Sequence, residues 1–217
     1  MTNRAQIVHY GHACVLLDTG STRLLFDPGC FSDFDEVRDL DAILITHQHA
    51  DHADPERLAA LVKNNPRAVL HADPGTAEDV IAGLALAVTT VRPGDAFEVG
   101  GTAVNIVGGE HARIHRDYPV PPNVGYVIDH GAFYHPGDSL FVPEQKIDVL
   151  GIPFAAPWVK TGELLDFLRA VAPRLAVAIH DTMLSDNGRQ NVKAWLTEDD
   201  SKAAEVRLLT RLEPAEL

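Results

Sequence analysis

Residues 46 to 52 read Thr46-His47-Gln48-His49-Ala50-Asp51-His52. Any fold for this chain must gather three imidazoles and a carboxylate drawn from one short stretch, His47 to His52. Histidine is the commonest metal ligand, and neutral imidazole suits zinc, iron or manganese. A catalytic ion takes about three protein ligands and keeps one position open. The stretch is too small to serve two ions fully, so further partners are expected downstream. The bland alternative is a polar loop of hydrogen-bonded histidines, which does not account for this density.

The flanks say how the stretch is held. Asp41-Ala42-Ile43-Leu44-Ile45 has the apolar run of a buried strand. Asp54-Pro55-Glu56 reads as a helix start, with Asp54 as N-cap and Pro55 at the first helical position. Residues 47 to 53 therefore form a loop from a strand end into a helix. Alternate side chains of an extended segment share a face, so His47 and His49 point one way. A turn then sends Asp51 and His52 to a neighbouring point. Two adjacent metal positions follow.

In this setting His47-x-His49-x-Asp51-His52 resembles the signature of the metallo-β-lactamase-fold metal-dependent hydrolase superfamily, and its lactonase-like branch in particular. The resemblance runs over residues 5 to 210 or so. It implies an α/β fold, the four-layer αβ/βα sandwich, in a single domain spanning 1–217. It also implies a dinuclear site completed by a histidine, a bridging aspartate and a final histidine, in that order. Candidates for all three stand after strand-like runs: His111 after Thr102–Val107 and a Gly-Gly pair, Asp138 in Tyr134-His135-Pro136-Gly137-Asp138, and His180 after Leu175–Ile179. Carried over by motif, His47, His49 and His111 hold one ion. Asp51, His52 and His180 hold the other, and Asp138 bridges. The ions implied are two divalent metals, zinc first, with manganese or iron as alternatives. Asp51 and Asp138 are also the expected catalytic carboxylates, Asp51 orienting a hydroxide and Asp138 relaying a proton. No Gly-x-Ser-x-Gly elbow offers a competing nucleophile.

Other histidines need placing, since the chain has 11. His115 lies four residues past His111 and would replace it as ligand on a helix; otherwise it contacts substrate or supports a ligand. His12, in Tyr10-Gly11-His12-Ala13, either faces the site or is a hydrogen-bonded histidine near a strand start. His135 reads as a strand-end residue. His71 begins a second His-Ala-Asp-Pro stretch that lacks an upstream His-x-His, so it is expected to be structural.

The formal net charge is −13, which disfavours a nucleic-acid track. A small-molecule substrate, anionic or neutral, fits better. Two loops offer contacts for it. Ala112–Pro122 brings Arg113, His115, Arg116 and Tyr118, and Pro153–Lys160 brings Trp158 and Lys160. Trp158 is either a pocket wall or ordinary core. No run of 18 apolar residues exists, so no membrane span is expected. The first residues lack the apolar stretch of a signal peptide, and Cys14 and Cys30 read as two buried thiols; both fit a cytoplasmic protein. The oligomeric state has no sequence signal.

Strands are expected near 5–10, 13–18, 23–27, 67–71, 86–91, 96–99, 102–108, 124–129, 132–135, 147–151 and 175–180. Helices are expected near 55–63, 75–82, 161–171 and 186–196. The favoured reaction is hydrolysis of a lactone or related small ester. Phosphodiester hydrolysis and a non-catalytic metal-binding scaffold are the alternatives.

Overall fold

The computed structural model describes residues 5–198 and 204–217; the first four residues, where no leader was expected, lie outside it. Its strands form two seven-stranded mixed sheets. The first contains β1 (Gln6–Gly11), β2 (Cys14–Asp18), β3 (Arg23–Phe26), β4 (Ala42–Ile45), β5 (Val69–Ala72), β6 (Thr89–Thr90) and β14 (Pro214–Glu216), in the order β14-β1-β2-β3-β4-β5-β6. The second contains β7 (Ala96–Val99), β8 (Thr102–Glu110), β9 (Pro122–Ile128), β10 (Phe133–His135), β11 (Val149–Pro153), β12 (Leu175–Ile179) and β13 (Glu205–Arg207), in the order β13-β12-β11-β10-β9-β8-β7. Each sheet is antiparallel on one side and parallel on the other, the change falling at β3–β4 and at β10–β11.

The apolar runs lack polar alternation because both faces of the parallel strands are covered. Along β4, Ala42 and Leu44 enter the core between the sheets, while Ile43 and Ile45 face outward. The outward set packs with Leu58 and Leu61 of helix α1 (Leu58–Asn64). On β12, Leu175, Val177 and Ile179 face inward. Ala176 and Ala178 instead meet α3 (Thr161–Val171) and α4 (Asp186–Thr197) through Leu164, Phe167, Leu168, Val192 and Leu196. The result is four layers, helix–sheet–sheet–helix.

Four expectations shift. Asp54 Oδ1 accepts from the amides of Glu56 and Arg57, but this closes a turn, and α1 proper starts only at Leu58. The helix expected over 75–82 is one α turn, α2 (Pro74–Thr76), followed by a π turn (Ala77–Ile81) and a 3-10 turn (Ala82–Leu84). Two glycines and three β-branched residues give that stretch low α propensity. Strands β13 and β14 were not expected. The thiol reading needs correction: Cys14 is buried in strand β2, but Cys30 is exposed, on the loop after β3.

Candidate metal centre

The expected ligands all leave the ends of strands on one edge of the sandwich. His47 follows β4, His111 follows β8, Asp138 follows β10 and His180 follows β12. Rigid strands thus position side chains carried on loops. The donor atoms gather in two groups, each within 4.8 Å: His47, His49, His111 and Asp138; and His12, Asp51, His52 and His180.

The hydrogen bonds around the groups set the tautomers. His52 Nδ1 donates to Asp27 Oδ2 at 2.7 Å, His180 Nδ1 to Ala155 O at 2.6 Å, and His111 Nδ1 to Ala112 O at 2.5 Å. Each acceptor has no proton to give, so Nδ1 carries a proton and Nε2 is the position able to offer a lone pair. Thr46 Oγ1 donates to Asp27 Oδ2, leaving it to accept from His47 Nδ1 at 3.1 Å. His47 Nε2 therefore also turns inward, 3.0 Å from His49 Nδ1.

Those Nε2 atoms converge on a carboxylate. His52 Nε2 and His180 Nε2 lie 3.1 and 3.3 Å from Asp138 Oδ1, and His111 Nε2 lies 3.2 Å from Asp138 Oδ2. None of the three nitrogens has a hydrogen-bond partner, nor does Asp138 Oδ1, and all are buried. Buried polar atoms are seldom left so. Without a cation, a proton between His52 Nε2 and Asp138 Oδ1 satisfies two of them: burial opposes it, but Asp138 and Asp27 outweigh burial and hold the His52 pKa well above its usual value, and a metal ion would displace that proton. His111 Nε2 and His180 Nε2 are left, and a cation would satisfy both. His47 and His49 are held neutral, chiefly by burial. Asp138 stays ionised, because the His52 charge and the neighbouring imidazoles outweigh its burial. Neutral imidazoles around anionic carboxylates are the donor set that divalent metals take. The residues fit the ions.

Of the other expected site residues, His12 alone joins a donor group. His12 is fully buried; its Nε2 donates to Asp51 Oδ2 at 3.0 Å, and its ring lies 3.8 Å from that of His180. Trp158 is buried, and its Nε1 donates to Asp138 Oδ2 at 2.9 Å. His115 is exposed beside Asp117, outside both donor groups. Arg113 is exposed, and Arg116 lies 3.6 Å from Asp117. Lys160 faces solvent, with Nζ 3.8 Å from Glu163. His71 stacks on Phe97, and His135 donates from Nε2 to Ala13 O, tying the two sheets together.

The sequence reading missed Asp27. It is fully buried, and besides His52 and Thr46 Oγ1 it accepts the Thr46 amide. In Phe26-Asp27-Pro28-Gly29 it reads as turn chemistry; its place directly after a buried strand was the available signal. It also missed Asn123, whose Oδ1 accepts the Asp138 amide at 3.0 Å. Strain gathers here too. His12, Asp27 and His180 all have left-handed backbone, with φ of 54°, 45° and 53°. Such conformations persist where surrounding structure over-determines them, as at functional sites.

Two mixed sheets with outer helices, and imidazoles converging on shared carboxylates, define a class of metal-binding α/β sandwich. A family model described as "Beta-lactamase superfamily domain" matches residues 6–180, and the chain belongs to that superfamily. It is 48% identical over 198 residues to Protein Rv0786c of Mycobacterium tuberculosis, covering 89% of this chain and 92% of that one. It is 24% identical over 191 residues to a UPF0173 metal-dependent hydrolase of Thermoplasma acidophilum, covering 81% and 82% of the two. Among solved structures, Igni18, a metallo hydrolase from Ignicoccus hospitalis, superposes with a TM-score of 0.78 at 17% identity, over 99% of each chain. That likeness is one of fold. The architecture is the metallo-β-lactamase fold expected from the signature.

Proposed function

We propose that this chain is a dinuclear metal-dependent hydrolase that opens a lactone or cleaves a related small ester. The coarse class, a metal-dependent hydrolase, follows from the superfamily and its UPF0173 relatives. The two-ion site rests on one observation: two donor groups meet at a single carboxylate, Asp138, with Oδ1 toward His52 and His180 and Oδ2 toward His111. In this reading His47, His49 and His111 would hold one ion, Asp51, His52 and His180 the other, and Asp138 would be shared. When bound, divalent ions bring the pKa of water toward neutrality and stabilise negative charge developing on an oxygen.

The chain's own groups do the rest. Asp51 is 24% exposed while Asp138 is 5% exposed, so solvent reaches the centre beside Asp51. Burial opposes the charge on Asp51, but the His12 hydrogen bond and the nearby His52 keep it ionised at neutral pH. Asp51 therefore acts as an acceptor. Its Oδ2 is fixed by His12, and the carboxylate can orient an attacking water. Asp138 is too enclosed to greet substrate and holds the two donor groups together. Arg113, Arg116 and Lys160 are exposed, Arg116 beside Asp117 and Lys160 beside Glu163, so they lend no buried charge to the centre.

The test is elemental analysis followed by a panel of lactones, thioesters and phosphodiesters on metal-defined protein. We expect two ions per chain and fastest turnover of a lactone or small ester. A stoichiometry that never exceeds one refutes the dinuclear site. Preference for phosphodiesters moves the substrate to that class, and full loading without turnover of any ester leaves a scaffold.

A further inference from the structure

The segment after β11 touches the centre twice. Its backbone continues the pairing with β12: Phe154 N donates to Ile179 O, and Ala155 N to His180 O. Ala155 O accepts from His180 Nδ1 at 2.6 Å. Three residues on, Trp158 Nε1 donates to Asp138 Oδ2 at 2.9 Å. The indole stands edge-on to two imidazoles, with ring centroids 5.9 Å from His111 and 6.3 Å from His180. One short segment thus braces a histidine of one donor group and the carboxylate common to both.

A buried indole needs an acceptor for its N–H, and many acceptors would serve. This one chooses the oxygen on which the shared carboxylate turns. The other close neighbours of that carboxylate, His52, His111 and His180, present nitrogens that are themselves metal donors. Tryptophan is a donor only. It can hold a carboxylate oxygen without competing for a cation. With Oδ2 pinned, Oδ1 is directed at His52 and His180.

We propose that Trp158 is a positioning residue for the metal centre, its indole N–H fixing the Asp138 carboxylate so that one oxygen serves each donor group. This rests on the dinuclear reading above. Trp158 touches no reacting atom in this role. It acts through Asp138, as outer partners of metal ligands do, and losing such a partner weakens metal binding about 10- to 100-fold.

The experiment compares wild-type protein with Trp158→Phe, which keeps an aromatic ring and removes the N–H. Zinc affinity is measured by competition with a chromophoric chelator, and folding is checked by thermal melts without zinc. We expect Trp158→Phe to fold and to bind zinc at least tenfold more weakly. At saturating zinc its KM for a generic ester should match wild type. Equal or tighter zinc binding overturns the proposal. So does a raised KM that persists at saturating zinc, because the indole would then be a substrate contact. Hydrogen exchange of the indole N–H, followed by NMR on intact wild-type protein, gives an independent reading should the variant fail to fold. Trp158 should exchange slowly both with chelator and with zinc, while the exposed Trp195 exchanges fast. Equal exchange rates overturn the proposal. If wild-type protein takes up only one zinc, the dinuclear reading falls. Two zinc ions bound equally well by both proteins defeat the role of Trp158 alone.

Discussion

Replacing Asp27 with asparagine should uncouple His52 from the centre without changing shape. Asp27 Oδ1 accepts the Thr46 amide at 2.8 Å, and Oδ2 accepts both Thr46 Oγ1 at 2.8 Å and His52 Nδ1 at 2.7 Å. In Asp27→Asn the carbonyl oxygen keeps the Thr46 amide, and the new NH2 group faces His52 Nδ1. Two donors then confront each other. The neutral imidazole, the form that would bind a metal, escapes by carrying its proton on Nε2, the atom that lies 3.1 Å from Asp138 Oδ1. A protonated Nε2 has no lone pair for a metal. The same logic makes loss of an orienting carboxylate damaging where a histidine must present one tautomer.

Two magnitudes follow. Loss of a hydrogen bond to a buried charge costs about 1.5–3 kcal/mol. For a chain of this size that is roughly 3–12 °C in Tm. Zinc affinity should fall by about 10- to 100-fold. Thermal melts and chelator competition measure the two effects, and 15N shifts of the His52 ring report the tautomer directly. Wild-type zinc affinity in Asp27→Asn, with His52 still protonated at Nδ1, would refute the reasoning.

Three further outcomes are expected. His111→Ala should reduce metal content while His115→Ala leaves it intact, since His115 is exposed beside Asp117; metal loss only in the second variant reverses the assignment. Gly137→Ala should destabilise the protein by about 1–3 kcal/mol. Its φ is +62°, and a Cβ there would overlap Asn123 Oδ1 and Thr46; an unchanged denaturation midpoint would contradict this. Asp73 should titrate at about 6 instead of the usual 3.8, because burial outweighs its hydrogen bonds from Thr76 and Gly75. The sign is unusual for a carboxylate: this group withdraws stability as pH rises from about 4 to about 6. A carboxyl 13C titration with its midpoint below 4 would show the side chain to be better solvated than its burial suggests.

How far the centre could be read from sequence depends on where each contact is made. His47, His49, Asp51 and His52 share one loop, and a strand before and a turn after them are written in the adjoining residues. Their density carries the message locally. His111, Asp138 and His180 have no local density; each is a single residue past a strand, and only the resemblance singled them out. Asp27 had neither cue. Its meaning lies in contacts to Thr46 and His52, which the parallel pairing of β3 with β4 brings beside it. The same limit governs the fold. Strands with both faces covered show as apolar runs, so β4 and β12 were legible. The edge strands β13 and β14, Glu205–Arg207 and Pro214–Glu216, carry little apolar pattern. They are strands because β12 and β1 offer them backbone partners. Trp158 shows why residue type alone leaves a role open. Pocket wall and core filler were both fair readings of an indole in a loop after a strand. What decides between them and a third reading is the direction of one N–H, set by the joint course of β10, β11 and β12. That direction puts a donor against Asp138, so the residues that organise this centre extend beyond those able to bind a metal.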